Sequence, residues 1–275
     1  MKAAALQMVS GRSVEDNLAA AARLIAQAAR ESAELVLLPE NFAYFGGTKI
    51  LALGQQEASP EGAIRQFLSQ QAKEHGLVLI AGSLPTCEAD DTGRKPDAGK
   101  VFTRSLVYGP KGEQLAGYNK IHLFDVDVDD AQGQYRESDH YSAGDSAMLV
   151  ELPQANVGLS ICYDLRYPEL YRMLAEKGAD ILTVPAAFTY VTGEAHWQVL
   201  LRARAIENQC FVIAANQGGE HSESRKTWGH SCIISPWGEV LAEVDQGEGV
   251  ALATLDFSEQ RKLRTSMPVL QHRRL

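Results

Sequence analysis

The sequence contains no apolar run near the ~20 residues that span a bilayer. The stretch from Met1 to Val9 breaks into polar Ser10-Gly-Arg too early for a secretory apolar core. No membrane partner is expected, and a cytoplasmic location is the default expectation. Cysteine is scarce and scattered: the four residues stand at 87, 162, 210 and 232, without a C-x-x-C pair. That spacing argues against a disulfide framework and against a zinc site. The seven histidines include no H-x-x-x-H pair, so no metal is expected. Basic residues are outnumbered, leaving a formal charge of -9 and a pI near 5.3. This removes the electrostatic footprint of a nucleic-acid binder. An anionic substrate would have to be met by local cations against the overall field. G-x-S-x-G, P-loop and G-x-G-x-x-G motifs are missing too. With no Pro/Ser-rich linker, low-complexity tract or composition break, one domain over residues 1–275 is the simplest reading.

What the chain does contain is alternation. Ala3 to Val9 reads as a short buried strand, Val14 to Arg30 places apolar residues at helical spacing, and Leu35-Val-Leu-Leu resumes as strand. The β-α-β rhythm recurs. A helix from Glu61 to His75 leads into Leu77-Val-Leu-Ile-Ala-Gly; one from Tyr167 to Glu176 leads into Asp180-Ile-Leu-Thr-Val; one from Glu194 to Asn208 feeds Phe211-Val-Ile-Ala-Ala. Between these units, Val107-Tyr-Gly-Pro-Lys-Gly-Glu-Gln-Leu and Ile234-Ser-Pro-Trp-Gly-Glu-Val-Leu read as hairpins, with Pro and Gly at the turns. The repeated x-Pro-x-Gly-Glu turn predicts two halves built alike, each supplying a sheet. An α/β fold with two packed sheets follows.

Three stretches can carry chemistry. In Val157-Gly-Leu-Ser-Ile-Cys162-Tyr-Asp-Leu-Arg-Tyr-Pro, a strand ends at Cys162 and a Pro-initiated helix begins soon after. Such an elbow exposes a thiol at the carboxyl end of a sheet, where ligands bind in open α/β folds. The Tyr163 N–H would then face a developing oxyanion. From this stretch alone, a small buried hydrophobe is an equal alternative for Cys162. Val36-Leu-Leu-Pro-Glu40-Asn41 puts a carboxylate directly after an apolar strand, partly desolvated as a general base requires, although an isolated loop Glu is more often solvated. Gly117-Tyr-Asn-Lys120-Ile-His places an ammonium at a strand end, where it can bind an oxyanion as a compact charge; alone, a surface lysine is the better bet.

Together, Leu-Pro-Glu40, Tyr-Asn-Lys120 and Ile-Cys162-Tyr-Asp-Leu-Arg resemble the nitrilase superfamily of carbon-nitrogen hydrolases, whose members carry Glu, Lys and Cys in this order. The resemblance implies an α-β-β-α sandwich, association as homodimers or larger homo-oligomers, and an amidase without cofactor. It assigns Cys162 as nucleophile, Glu40 as general base, and Lys120 with Tyr163 as oxyanion stabilisers. A second family glutamate is matched by Glu137 in Tyr135-Arg-Glu137-Ser, positioned to hydrogen-bond Lys120. Phe188-Thr-Tyr-Val-Thr-Gly-Glu-Ala-His196-Trp197 is similar to a family segment that shapes the pocket wall. Tyr44, Arg166, Phe188, Thr189, His196 and Arg225 are the candidate substrate contacts. Arg202 and Arg204 are further cations, of which at most one can face a pocket from a helix.

The carboxyl half is most similar to the deaminated glutathione amidase branch, through Ala195-His-Trp-Gln-Val-Leu-Leu-Arg-Ala-Arg-Ala-Ile-Glu-Asn-Gln-Cys210, Gln217-Gly-Gly-Glu-His221, Trp228-Gly-His-Ser231 and Pro268-Val-Leu-Gln-His-Arg-Arg274. That branch implies hydrolysis of deaminated glutathione to 2-oxoglutarate and Cys-Gly. The omega-amidase branch, acting on 2-oxoglutaramate, is the nearest alternative; an acyltransferase, or a binding or redox-sensing protein using Cys162, stands outside hydrolysis.

Overall fold

The computed structural model describes residues 1–274. A seven-stranded sheet has the hydrogen-bonded order Gly249–Thr254, Lys2–Gln7, Leu35–Leu37, Val78–Ile80, Phe102–Tyr108, Leu84–Thr86, with Gln114–Asn119 paired to Phe102–Tyr108. A six-stranded sheet runs Val240–Glu243, Cys232–Ile234, Phe211–Asn216, Ile181–Ala186, Asn156–Leu159, Leu149–Glu151. Each sheet is parallel at its centre, Lys2–Gln7 with Leu35–Leu37 and Val78–Ile80 in one, Asn156–Leu159 with Ile181–Ala186 and Phe211–Asn216 in the other.

Side-chain alternation sorts the layers. Ala3, Ala5, Leu35 and Leu37 join a core shared with Val157, Leu159, Val212 and Ala214 of the second sheet. Their neighbours Ala4, Leu6, Val36 and Leu38 pack instead with Leu24, Ile25, Ile64 and Leu68 of helices Val14–Arg30 and Ala63–His75. Strands buried on both faces are the expected state when helices cover a parallel sheet. On the far side, helices Pro168–Glu176 and Tyr190–Asn208 bring Leu170, Leu174, Trp197 and Leu201 against the second sheet. The result is the α-β-β-α sandwich that the resemblance implies.

Local chemistry sets the element ends. Ser13 caps Val14–Arg30 by accepting from the Asp16 N–H (3.2 Å), and Gly76 ends Ala63–His75 in the left-handed conformation at φ 63°. Both Pro-Gly hairpins form as expected, one in each sheet. The helix expected from Glu194 starts earlier, at Tyr190, because the Thr189 side chain accepts from the Thr192 N–H and serves as its N-cap. Helices Ile50–Gln56 and Phe257–Ser266 were not evident in the sequence pattern. The second buries only Gln260, so it carries no apolar stripe.

Candidate active site

Four chain segments end at one cavity of about 230 Å3. Strand Leu35–Leu37 delivers Glu40, strand Gln114–Asn119 delivers Lys120, strand Asn156–Leu159 delivers Cys162, and strand Ile181–Ala186 delivers Ala187 and Phe188. The carboxyl edges of central parallel strands therefore supply three of the four walls, as open α/β sheets do for ligands.

Lys120 is the electrostatic centre. It is 2% exposed, and its Nζ donates to Glu40 Oε1 at 2.9 Å and to both Glu137 oxygens at 2.9 and 2.8 Å. Burial disfavours its charge, but the Glu137 and Glu40 carboxylates outweigh that and hold the ammonium well above the ordinary lysine range. Burial pushes Glu137 up, and the Lys120 charge opposes it. Glu137 also accepts from the Phe124 N–H (2.6 Å), which fixes its carboxylate between strand and loop. Glu137 begins a short 3-10 turn, Glu137–Asp139, after the two-stranded ribbon Asp125–Asp127 and Gln134–Arg136.

Cys162 is 7% exposed and sits at φ 50°, a left-handed conformation that costs a non-glycine residue energy and persists only where its surroundings impose it. Those surroundings are visible. Asp164, fully buried, accepts from the Ile161 N–H (2.8 Å), the Tyr118 hydroxyl (2.7 Å) and the His122 N–H (3.0 Å), with His122 Nδ1 at 2.7 Å. It thus fastens the elbow to both sides of Lys120. From behind, Arg204 donates twice to the Leu165 carbonyl, at 3.1 and 2.9 Å. Burial and the Glu40 carboxylate push the Cys162 thiol well above its ordinary value, only partly offset by Lys120 and by the Ala187 backbone N–H that faces the sulfur. A thiol held that high rests protonated, next to the Glu40 carboxylate. Glu40 is itself held in place: Gln217 Nε2 donates to the Glu40 carbonyl (3.0 Å) and to Ser10 Oγ (2.9 Å).

The remaining expected residues divide. Tyr44, Tyr163, Arg166, Phe188, Thr189 and Arg225 all line the cavity. Tyr163 lies at the start of the 3-10 turn Cys162–Arg166, where backbone N–H groups have no partner within the turn. The Thr189 hydroxyl is engaged in its helix cap and with Thr192 (2.8 Å). His196 is not a cavity residue; it is exposed and approaches only through Arg166, whose Nη1 lies 3.2 Å from its Nδ1. Trp197, its neighbour, is buried behind Phe188 with ring centroids 4.8 Å apart. Neither Arg202 nor Arg204 faces the cavity: Arg202 donates to the Gly238 carbonyl and Arg204 braces the elbow. Sequence reasoning did not single out Phe45, Phe124, Tyr135, Tyr141 or Ala187, all of which line the site, nor the supports Asp164 and Gln217. Asp164 carried a signal, two residues beyond Cys162 in the elbow stretch; Phe45 and Phe124 stand in loops, and Tyr135 in a strand of three residues, too short to show periodicity. Among the described residues no group of His, Cys, Asp or Glu is arranged to hold a metal ion, and none of the described helices is long and apolar enough to cross a membrane.

The family profile of carbon-nitrogen hydrolases matches residues 2–265. The chain belongs to the carbon-nitrogen hydrolase family. A deaminated glutathione amidase of Synechocystis sp. is 46% identical over 274 residues, covering 98% of this chain and 97% of the relative. Omega-amidase NIT2 of Xenopus tropicalis is 40% identical over 259 residues, covering 94% and 90%. Among solved structures, Nit3 of Saccharomyces cerevisiae, described as a member of branch 10 of the nitrilase superfamily, superposes with a TM-score of 0.86 at 30% identity, covering 100% of this chain and 97% of that one.

Proposed function

We propose that the protein is an amidase that cleaves a linear amide through a thioester on Cys162, and that its substrate is deaminated glutathione. The observation that carries the mechanism is the buried Lys120 ammonium bonded at once to Glu40 and Glu137 in the cavity that holds Cys162. Each step has an assigned group. Glu40 takes the Cys162 proton as sulfur attacks the amide carbon. Lys120 and the Tyr163 N–H hold the oxyanion that forms, and Glu137 keeps Lys120 charged and aimed. As the C–N bond breaks, Glu40 returns the proton to the leaving nitrogen, and an amine departs. Glu40 then deprotonates water, which attacks the thioester and releases the acid together with the thiol.

The substrate reading rests on the 46% identity to a deaminated glutathione amidase; the 40% identity to an omega-amidase keeps 2-oxoglutaramate as the second reading. A site suited to the larger amide draws transition-state binding energy from the remote Cys-Gly part. The expected steady-state kcat/KM for deaminated glutathione exceeds that for 2-oxoglutaramate by at least ~10-fold, equivalent to about 1.4 kcal/mol. Equal or reversed preference would favour the omega-amidase. The same reading takes residues 1–275 as one domain in the cytoplasm and, on the strength of the family resemblance, as associating into homodimers or larger homo-oligomers.

A further inference from the structure

A second cavity, of about 100 Å3, opens on the helix-covered face of the seven-stranded sheet and takes part in no step of the reaction above. Strand alternation fixes its side. Leu106 and Tyr108 pack with the helices, so Arg104, two residues before Leu106 on the same strand, faces that way too. Register pairs Arg104 with Asn119 and Leu106 with Gly117, which puts both partners on the same face. Tyr118, between them, sends its hydroxyl inward to Asp164. Asn119 and Gly117 therefore line this cavity with Arg104, while the next residue, Lys120, lines the catalytic one.

Two of its groups are unsatisfied. Arg104 is 3% exposed and Asn119 9%, yet Arg104 Nε and Asn119 Oδ1 are buried without a hydrogen-bond partner among the described residues. The Arg104 Nη atoms are engaged, with the Ala89 carbonyl at 3.1 Å and Asp91 at 3.2 Å, so Nε alone is left as a donor. Asn119 Oδ1 is left as an acceptor. Buried polar groups are normally partnered, so an open donor and an open acceptor on one cavity define their complement, a molecule with one acceptor and one donor. Charge selects further. Asp90, Asp91 and Asp145 line the cavity. Arg104 faces Asp91, and Arg94 faces Asp90 at 3.1 Å and Asp145 at 3.6 Å. Glu88, also beside Arg104, is matched by Arg65 at 3.0 Å. Three carboxylates against two guanidiniums leave one negative charge, which favours a cationic donor. No group of residues there is arranged to hold a metal ion among those described, so the cation is an organic ammonium. A volume of about 100 Å3 equals that of about three water molecules, which limits the occupant to a handful of non-hydrogen atoms.

We propose that this cavity is a second ligand site, for a small primary ammonium compound that carries a neutral hydrogen-bond acceptor. The ammonium donates to Asn119 Oδ1 beside the aspartate rim, and the acceptor receives Arg104 Nε. Its walls also support Lys120: Asn119 precedes it, and the Gly144 N–H, next to the wall residues Asp145 and Ser146, donates to the Lys120 carbonyl at 2.7 Å. The occupant thus sits one peptide from the catalytic ammonium. Ethanolamine, protonated at neutral pH, is the probe, and its binding is read by ligand-detected NMR titration. The wild type should bind it with a Kd on the order of 1 mM, as suits so small a ligand. Binding of n-propylammonium, which lacks the acceptor, and of ethylene glycol, which lacks the charge, should be at least ~10-fold weaker. Asn119→Leu keeps the shape, removes the acceptor oxygen, and should weaken ethanolamine at least ~10-fold. Asp145→Lys reverses a charge on the exposed rim without disturbing the buried pair and should do the same, which keeps the test decisive if Asn119→Leu folds poorly. Ethanolamine binding that is absent from the wild type would leave a cavity for water only and overturn the proposal. Binding that neither substitution weakens would place the amine elsewhere, and equal binding of n-propylammonium would remove the role of Arg104 Nε; either result overturns it too.

Discussion

At the residue scale, the candidate chemistry depends on charge crowding around one ammonium. Lys120 meets three carboxylate oxygens within 2.9 Å in a space that is 98% shielded from solvent. A guanidinium is wider and planar, so it cannot occupy that point while still serving an oxyanion. Lys120→Arg is therefore expected to lose at least ~100-fold in kcat, the scale of removing an oxyanion donor; near wild-type turnover would reduce Lys120 to a structural charge. For Cys162→Ala we expect complete loss of turnover and of any acyl adduct by intact mass. The other thiols stand elsewhere: Cys210 donates to the Ala179 and Asn208 carbonyls, Cys232 is in the sheet core, and neither lines the cavity. Cys87→Ser, Cys210→Ala and Cys232→Ala should each keep kcat, with Cys210→Ala costing about 1 kcal/mol in urea denaturation for its lost hydrogen bonds. If one of those three proves essential and Cys162 dispensable, the assignment fails. Glu40, Lys120 and Cys162 were legible in the sequence because each is a polar or reactive side chain within three residues of the end of a strand, so the preceding buried run marks its position. Phe45, Tyr135 and Ala187 were not: Phe45 stands in a loop, Tyr135 in a three-residue strand too short to show a period, and Ala187, although it follows a strand, has no functional group to mark it.

At the element scale, strand and helix positions followed from apolar periodicity, while the ends depended on single side chains. The early start of Tyr190–Asn208 at the Thr189 cap shows this, as does the polar helix Phe257–Ser266, whose one buried residue, Gln260, donates to the Asp180 and Gln209 carbonyls. Neither feature leaves a hydrophobic stripe to read. The elbow is the same case at higher stakes. Asp164 is an acceptor for the Ile161 N–H, the Tyr118 hydroxyl and the His122 N–H, and the His122 ring completes the set by donating from Nδ1. An amide at that position turns one acceptor oxygen into a donor facing donors. Asp164→Asn, nearly isosteric, should thus cost roughly 2–4 kcal/mol in urea denaturation, the scale of lost hydrogen bonds to a buried charge. It should also lower kcat, because the strained φ at Cys162 depends on this anchor. Wild-type stability in that variant would show that the elbow is held chiefly by Arg204 and packing.

For the whole molecule, stability against pH gathers contributions from both sheets and from the hairpin over the site. Burial, helped by the Arg225 charge and opposed by the hydrogen bond at Ser10, lowers His221 from 6.5 to about 4. The native ring is then neutral where the unfolded ring would be charged, so unfolding takes up a proton between those values. His221 contributes stability that is fully present above pH 6.5 and is lost as pH falls through about 4, amounting to about 3 kcal/mol at most. On the alkaline side the sign reverses. Burial raises Cys210 from 9 to about 12 and pushes Cys162, Cys232, Tyr118, Tyr141 and Tyr171 up as well. These groups stay protonated in the native state while the unfolded chain ionises, so their contribution is present below pH ~8.5 and declines above it. The unfolding free energy in urea should therefore plateau between about pH 6.5 and 8.5 and fall on both sides. The raised Glu57 and Glu137 oppose this acid loss, and the lowered Asp90, Asp125, Asp127 and Asp256 add their own at lower pH. Because His221 is the imidazole whose native value is lowered across the window from pH 6.5 to 4, His221→Gln should reduce the slope there while leaving the alkaline decline in place, since no thiol or phenol has changed. An acid limb of undiminished slope in that variant would move the proton uptake to other groups and remove the neutral imidazole as a fastening of the hairpin Glu220–Ser222 with Arg225–Lys226, where the His221 ring lies 2.7 Å from both the Ser10 carbonyl and Thr227 Oγ1.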